Sequence, residues 1–181
     1  MIVLDRKKED LVELFSEEAI QKRIAEIAKQ INADYPSDEP MCVICVLKGA
    51  VLFACDLIKH IDKETHFEFI KLESYGNSQS SSGEVKSVSM ALPNLNSKNV
   101  LVVEDIVDTG LTAKFLLDYI QMHFQPKMLK LVALLNKKCA RVHDIKVDYY
   151  GFEIDNKFVV GYGLDYMGYY RNLPYIGYFP Q

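Results

Sequence analysis

Residues 100–112 read Val-Leu-Val-Val-Glu-Asp-Ile-Val-Asp-Thr-Gly-Leu-Thr, and this run restricts the possible folds more than any other part of the chain. Four consecutive apolar residues, Val100 to Val103, show no polar alternation, so the strand they form must be buried on both faces. A parallel sheet covered by helices meets that condition. The run ends in the adjacent acids Glu104 and Asp105 and, after Ile106 and Val107, in an Asp108-Thr109-Gly110-Leu111-Thr112 loop. A helical stripe of Ala113, Leu116, Leu117 and Ile120 follows at once and stops ahead of Pro126. Acids and a small-residue loop therefore stand at the carboxyl end of a buried strand, where open α/β sheets bind ligands.

The flanking sequence repeats the alternation. Ser16 is placed to cap a helix that opens with Glu17 and Glu18 and carries Ile20, Ile24, Ile27, Ala28 and Ile31 down one face. Pro36 and Pro40 bracket its exit. Met41–Leu47 reads as a buried strand with Lys48-Gly49 as its edge loop, and Val51, Ala54, Cys55, Ile58 and Ile61 give a second helical stripe. His66–Glu73 and Leu129–Leu135 are further strands. The expected fold is α/β, a central, mainly parallel twisted sheet flanked by helices, connected right-handedly. The 181 residues suit one domain, with a core of about 16–150.

Two regions break the pattern. The tail from Gly151 to Gln181, rich in glycine and tyrosine, cannot continue the parallel alternation. It is expected to fold back as short strands over the site, forming a small hood from residues 1–15 and 151–181. The polar stretch Ser74–Ser87 reads equally as a disordered loop or as a mobile lid.

A net charge of −4 argues against general nucleic-acid binding, which needs a basic face, but leaves room for a small phosphorylated ligand. Met41–Leu47, the longest apolar run, is too short to span a bilayer. The N-terminus turns charged too soon for a signal peptide, so a reducing cytoplasm is the expected location. Cys42 and Cys45 have C-x-x-C spacing, but within a strand that spacing sends the side chains to opposite faces. With Cys55 and Cys139 they are expected to be structural. His60, His66, His123 and His143 match no metal spacing.

The chemistry of the 104–112 run follows from its residue types. Neighbouring strand residues diverge, so one of Glu104 and Asp105 can face a ligand while the other aims at a metal or a structural amide. Carboxylates accept hydrogen bonds from vicinal hydroxyls and can hold hydrated Mg²⁺. Thr109, Gly110, Leu111 and Thr112 offer successive backbone N–H groups and two hydroxyls at a helix start, a nest suited to a phosphate dianion. The bland alternative is an acidic loop with Thr112 as an ordinary N-cap.

Val102 to Thr112 resembles the 5-phosphoribosyl 1-pyrophosphate motif of type I phosphoribosyltransferases. The likeness continues through Leu47-Lys48-Gly49, Ser74-Tyr75, Lys137, Phe158 to Gly161, Leu164-Asp165-Tyr166 and Arg171, in the order of family members that use hypoxanthine and guanine. The resemblance implies Mg²⁺-dependent transfer of the phosphoribosyl group to N9 of such a 6-oxopurine, with release of pyrophosphate. By the same resemblance, Glu104 and Asp105 bind the ribose hydroxyls and, with Asp165, hold Mg²⁺. Asp108 to Thr112 wrap the 5′-phosphate, Ile106 and Val107 belong to the same substrate-binding stretch, and Asp108 is the acid/base toward purine N7. Lys48 and Gly49 present backbone groups to pyrophosphate, Arg171 clamps it, and family members can carry a cis peptide before the lysine. Lys137 reads the purine O6, Phe158 stacks on the base, and the Val159 backbone reads its pyrimidine edge. Ser74 and Tyr75 belong to the lid.

Without the resemblance, Phe158 reads as core, Lys137-Lys138 as a solvated turn and Lys48-Gly49 as a plain turn. Arg141 is within reach of the pyrophosphate side, and Lys138 has no assigned role. The resemblance also implies a homodimer or homotetramer. The rival readings are a xanthine- or adenine-directed phosphoribosyltransferase and a regulator that senses the activated sugar without catalysis.

Overall fold

The computed structural model describes residues 7–72 and 92–180. Ser74, Tyr75 and the expected lid at 74–87 lie outside the described residues. Val12–Phe15 forms β1, and Glu17–Asp34 forms α1, capped by Ser16, whose Oγ accepts from the Ala19 N–H at 3.3 Å. The buried face of α1 is the expected stripe of Ile20, Ile24, Ile27, Ala28 and Ile31. Then come β2 (Met41–Leu47), α2 (Val51–Ile58), β3 (Thr65–Lys71), β4 (Asn99–Val107), α3 (Leu111–His123), β5 (Met128–Asn136) and β6 (Tyr149–Glu153). The five strands β2 to β6 run parallel in the order β3-β2-β4-β5-β6.

The apolar strands are buried on both faces because helices cover both. Leu101 and Val103 of β4 pack in the layer of α1 and α2, while Val100 and Val102 pack in the layer of α3. Cys45 and Cys42 divide the same way. Burial pushes the Cys42 thiol up to about 11 and the Cys45 thiol up to about 12, so neither supplies a thiolate near neutrality.

Several boundaries differ from expectation, each for a physical reason. On α2 the buried residues are Phe53, Ala54 and Leu57, with Cys55 only partly buried. A helix apolar almost all round lets periodicity select no face; Asp56 marks the edge of the buried one, bonded to Lys59, Gln21 and Tyr162. The sheet also continues past Gly151, because β6 pairs in parallel with β5 through Phe152↔Leu135 and Glu153↔Asn136. Gly151 is there for close approach, since a Cβ would lie 2.5 Å from the Leu134 carbonyl oxygen. The connection from β5 to β6 contains only a short 3-10 turn, Lys138–Ala140, in place of a helix.

The chain ends do form the small hood. β1, β7 (Val159–Val160) and β8 (Ile176–Tyr178) make an antiparallel sheet in the order β1-β8-β7. It is fastened to the core in part by the stacked rings of Phe15 and Phe152, 4.0 Å between centroids. Among the described residues no helix is long and apolar enough to cross a membrane.

Candidate active site

The carboxyl ends of β2 and β4 meet in a contact that tolerates no side chain. The Leu47–Lys48 peptide is cis. Beyond it, Gly49 lies so close to Asp105 that a Cβ would fall 1.5 Å from Asp105 Oδ2. On its other side, a Cβ at Gly163 would fall 2.0 Å from the Gly49 carbonyl oxygen, and Gly163 has φ +97°. Tail and turn are therefore packed backbone to backbone, with the Asp105 carboxylate against the turn. Arg171 secures the tail: its Nη1 donates to the Gly163 carbonyl at 2.5 Å and its Nη2 pairs with Asp165 Oδ1 at 2.5 Å. Asp165 Oδ2 also accepts from the Gly168 N–H at 2.7 Å.

Glu104 and Asp105 lie within β4 rather than beyond its end, since the ladder with β5 runs on to Val107↔Asn136. Glu104 is 5% exposed, and its Oε1 is buried with no hydrogen-bond partner. Burial first, and the Asp105 charge second, hold its carboxyl well above the usual carboxylate range. Asp105 is pushed up to about 6 by burial and, more weakly, by the Asp165 charge; backbone N–H groups and Arg171 act against the rise. Such unmet acceptors cost folding energy unless a ligand supplies donors.

Next to them a cavity of about 90 Å³ is lined by Glu104, Ile106, Asp108, Thr109, Leu111 and Thr112, among others. Gly110, at φ 85°, caps α3, so the expected alternative of Thr112 as N-cap does not hold. The Leu111 N–H reaches Thr109 Oγ1 at 3.4 Å. Asp108 Oδ1 is likewise buried without a partner, and its Oδ2 lies 3.6 Å from Lys137 Nζ. Lys137 is not a solvated turn residue: it is 8% exposed, and its N–H bonds the Val107 carbonyl at 3.0 Å. Phe158 is not core either. It is 55% exposed, its ring meeting Tyr166 edge-on at 5.9 Å, while Val159 beside it is buried.

Two cations resolve differently. Lys138 pairs with Glu153 at 2.6 Å on the surface. Arg141 does not face the pyrophosphate side; its guanidinium sits behind the 107–110 loop, bonded to the Val107 and Asp108 carbonyls and to Asn136. Asn136 and the Gly49–Gly163 contact are the components that sequence reasoning missed. A buried Asn directly before Lys137 was the available sign for the first.

A larger cavity, about 890 Å³, opens at the opposite, amino end of the strands, lined by Met41, Phe67 and Asn99 among others. It is remote from the carboxylates. Among the described residues, no group of three or more His, Cys, Asp or Glu side chains is arranged to hold a metal ion. The carboxylates Glu104, Asp105 and Asp165 therefore form no preformed cage. Hard oxygen donors with a buried unpaired Glu104 oxygen nevertheless fit Mg²⁺, which keeps much of its shell as water and substrate oxygens.

Comparison with known proteins agrees with this geometry. Residues 11–167 match the phosphoribosyl transferase domain. A hypoxanthine-guanine phosphoribosyltransferase of Bacillus subtilis is 46% identical over 164 residues, 91% of this chain and 90% of that protein. A crystal structure of a hypoxanthine-guanine phosphoribosyltransferase from Bacillus anthracis superposes with a TM-score of 0.86 at 46% identity, covering 92% of this chain and 97% of that one. The hypoxanthine phosphoribosyltransferase of Trypanosoma cruzi in complex with its product IMP gives a TM-score of 0.86 at 38% identity, covering 97% of each chain.

Proposed function

The chain belongs to the phosphoribosyl transferase family, on the branch of the hypoxanthine-guanine phosphoribosyltransferases, and from that premise we propose how its residues divide the work. The enzyme serves purine salvage: it transfers the 5-phosphoribosyl group of 5-phosphoribosyl 1-pyrophosphate to N9 of hypoxanthine or guanine, giving IMP or GMP and pyrophosphate.

The observation that carries the residue assignments is the pair of buried, unpartnered oxygens, Glu104 Oε1 and Asp108 Oδ1, on residues that line one phosphate-sized cavity. Glu104 and Asp105 accept the ribose hydroxyls, and the 108–112 backbone takes the 5′-phosphate. Asp108 accepts the N7 proton as N9 attacks. Lys137, beside Asp108, donates to the purine O6. An ammonium has no acceptor for adenine's amino group, and such unpaired polar contacts discriminate by up to ~10⁴-fold. The exposed ring of Phe158 supports its role as the face on which the purine stacks, with the Val159 backbone reading the pyrimidine edge.

Lys48 and Gly49 present main-chain groups to pyrophosphate, and Arg171 exchanges its Asp165 partner for the departing anion. Glu104, Asp105 and Asp165 would hold Mg²⁺, whose part is to neutralise charge on that leaving group. Four free cysteines support a reducing, cytoplasmic setting. Likeness to the family supports self-association as a dimer or tetramer, which light scattering would check.

The purified protein, given the activated sugar and Mg²⁺ with each purine in turn, should release pyrophosphate with hypoxanthine and guanine and not with adenine. Turnover with adenine alone would remove Lys137 from base selection. Binding of the sugar with no turnover on any purine would favour a sensor.

A further inference from the structure

We propose that Arg141, oriented by Asn136, is a positioning residue that shapes the anion nest of the 107–111 loop and so sets affinity for the 5′-phosphate without touching it. The proposal rests on the phosphoribosyl reading of that loop.

Three consecutive carbonyls of the loop are held from one side. The Val107 oxygen accepts from Arg141 Nη2 at 3.2 Å as well as from the Lys137 N–H at 3.0 Å, and Arg141 Nε donates to the Asp108 oxygen at 3.1 Å. The Thr109 oxygen accepts from the N–H groups of Val142 and His143 at 3.0 and 2.9 Å. In a trans peptide the C=O and the following N–H point in opposite directions. Fixing these carbonyls on the 141–143 side therefore turns the N–H groups of Asp108, Thr109 and Gly110 the other way, as an anion nest requires. Backbone alone secures the third peptide; the second has Arg141 as its donor.

The guanidinium is itself tied down. Its Nη2 also donates to Asn136 Oδ1 at 2.6 Å, and its Nη1 to the Ile145 carbonyl at 3.2 Å. Asn136 is 3% exposed at the end of β5, where its register partner on β4 is Val107. The brace thus runs from the rigid sheet through a planar fork to the loop, a geometry that a lysine ammonium cannot reproduce. Contact is tight enough to transmit displacement: a Cβ on Gly110 would sit 2.9 Å from the His143 carbonyl oxygen and 3.0 Å from Arg141 Cδ.

Calorimetric titration with IMP and with inosine, which lacks the 5′-phosphate, separates this role from general destabilisation. Arg141→Ala should weaken IMP about tenfold or more and leave inosine within about twofold. Arg141→Lys keeps the charge and most of the stem; it should show the same selective loss, and it decides the matter if the alanine variant does not fold. Asn136→Ala should move IMP in the same direction by about threefold. Equal weakening of IMP and inosine in the lysine variant, or IMP affinity unchanged, would overturn the proposal. A wild-type enzyme that binds IMP no better than inosine would instead sink the phosphoribosyl reading itself.

Discussion

The two halves of β4 are built for opposite purposes. From Val100 to Val103 every side chain is fully buried among apolar neighbours on one or the other face of the sheet. From Glu104 to Asp108, one residue past the end of the strand, the chain carries three carboxylates, two of which have a buried oxygen without a partner. The first half stabilises the fold by burial; the second half costs stability in the absence of ligand, and it can persist because its neighbour holds it in place. One strand thus supplies both the anchor and the strained-charge end of the site.

That division can be broken from either side. Leu101→Ala should lose about 3 kcal/mol of unfolding free energy through a cavity beneath α1 and α2, measured by denaturant titration, while the substrate KM of the folded fraction stays near wild type. Asp108→Asn should do the reverse: turnover falls about 100-fold, near 2.7 kcal/mol in the barrier, with substrate binding and melting temperature retained. Wild-type turnover in that variant would take Asp108 out of the mechanism.

A third test is subtler. Glu104→Gln replaces a carboxyl whose ionisation the fold suppresses with a group that does not ionise, and should raise ligand-free stability near neutral pH by about 1 kcal/mol while weakening nucleotide binding. A carboxyl whose folded value lies above its unfolded one costs stability in full above the folded value, and that cost fades as pH falls from the folded value toward the unfolded one. Both Glu104 and Asp105 are raised, the latter to about 6. The ligand-free protein should therefore gain stability between about pH 6.5 and pH 4 relative to an Asp105→Asn variant, which lacks that dependence. Carboxyls held low, such as Asp34 and Glu39, lose their contribution only from the foot of this window downward. A flat difference across that range would contradict the charged end of the comparison.

Much of this was legible because it is local. The 104–112 run places its acids and its loop by strand and helix periodicity alone, and the Ser16 cap and the α1 stripe needed no tertiary information. The hood was legible as an interruption of the pattern, but its strand pairing was not. What escaped the sequence depends on approach between distant segments. Gly49 and Gly163 reveal their purpose only once the tail lies against the β2 turn, and Gly151 resembled a turn signal while serving a crowded strand. Arg141 looked like any surface cation because its acceptors are main-chain carbonyls, which carry no sequence signature. Phe158 misled in the other direction: its apolar neighbours suggested burial, but Val159 and Val160 of β7 take the buried places and Phe158, just ahead of the strand, keeps its ring exposed.

The most direct test is a crystal structure with IMP bound. The 5′-phosphate should lie in the 108–112 loop on backbone N–H groups, the ribose hydroxyls on Glu104 and Asp105, and purine O6 within hydrogen-bond distance of Lys137. A nucleotide bound elsewhere, as in the cavity beside Asn99, or one whose phosphate lies away from that loop, would contradict the account.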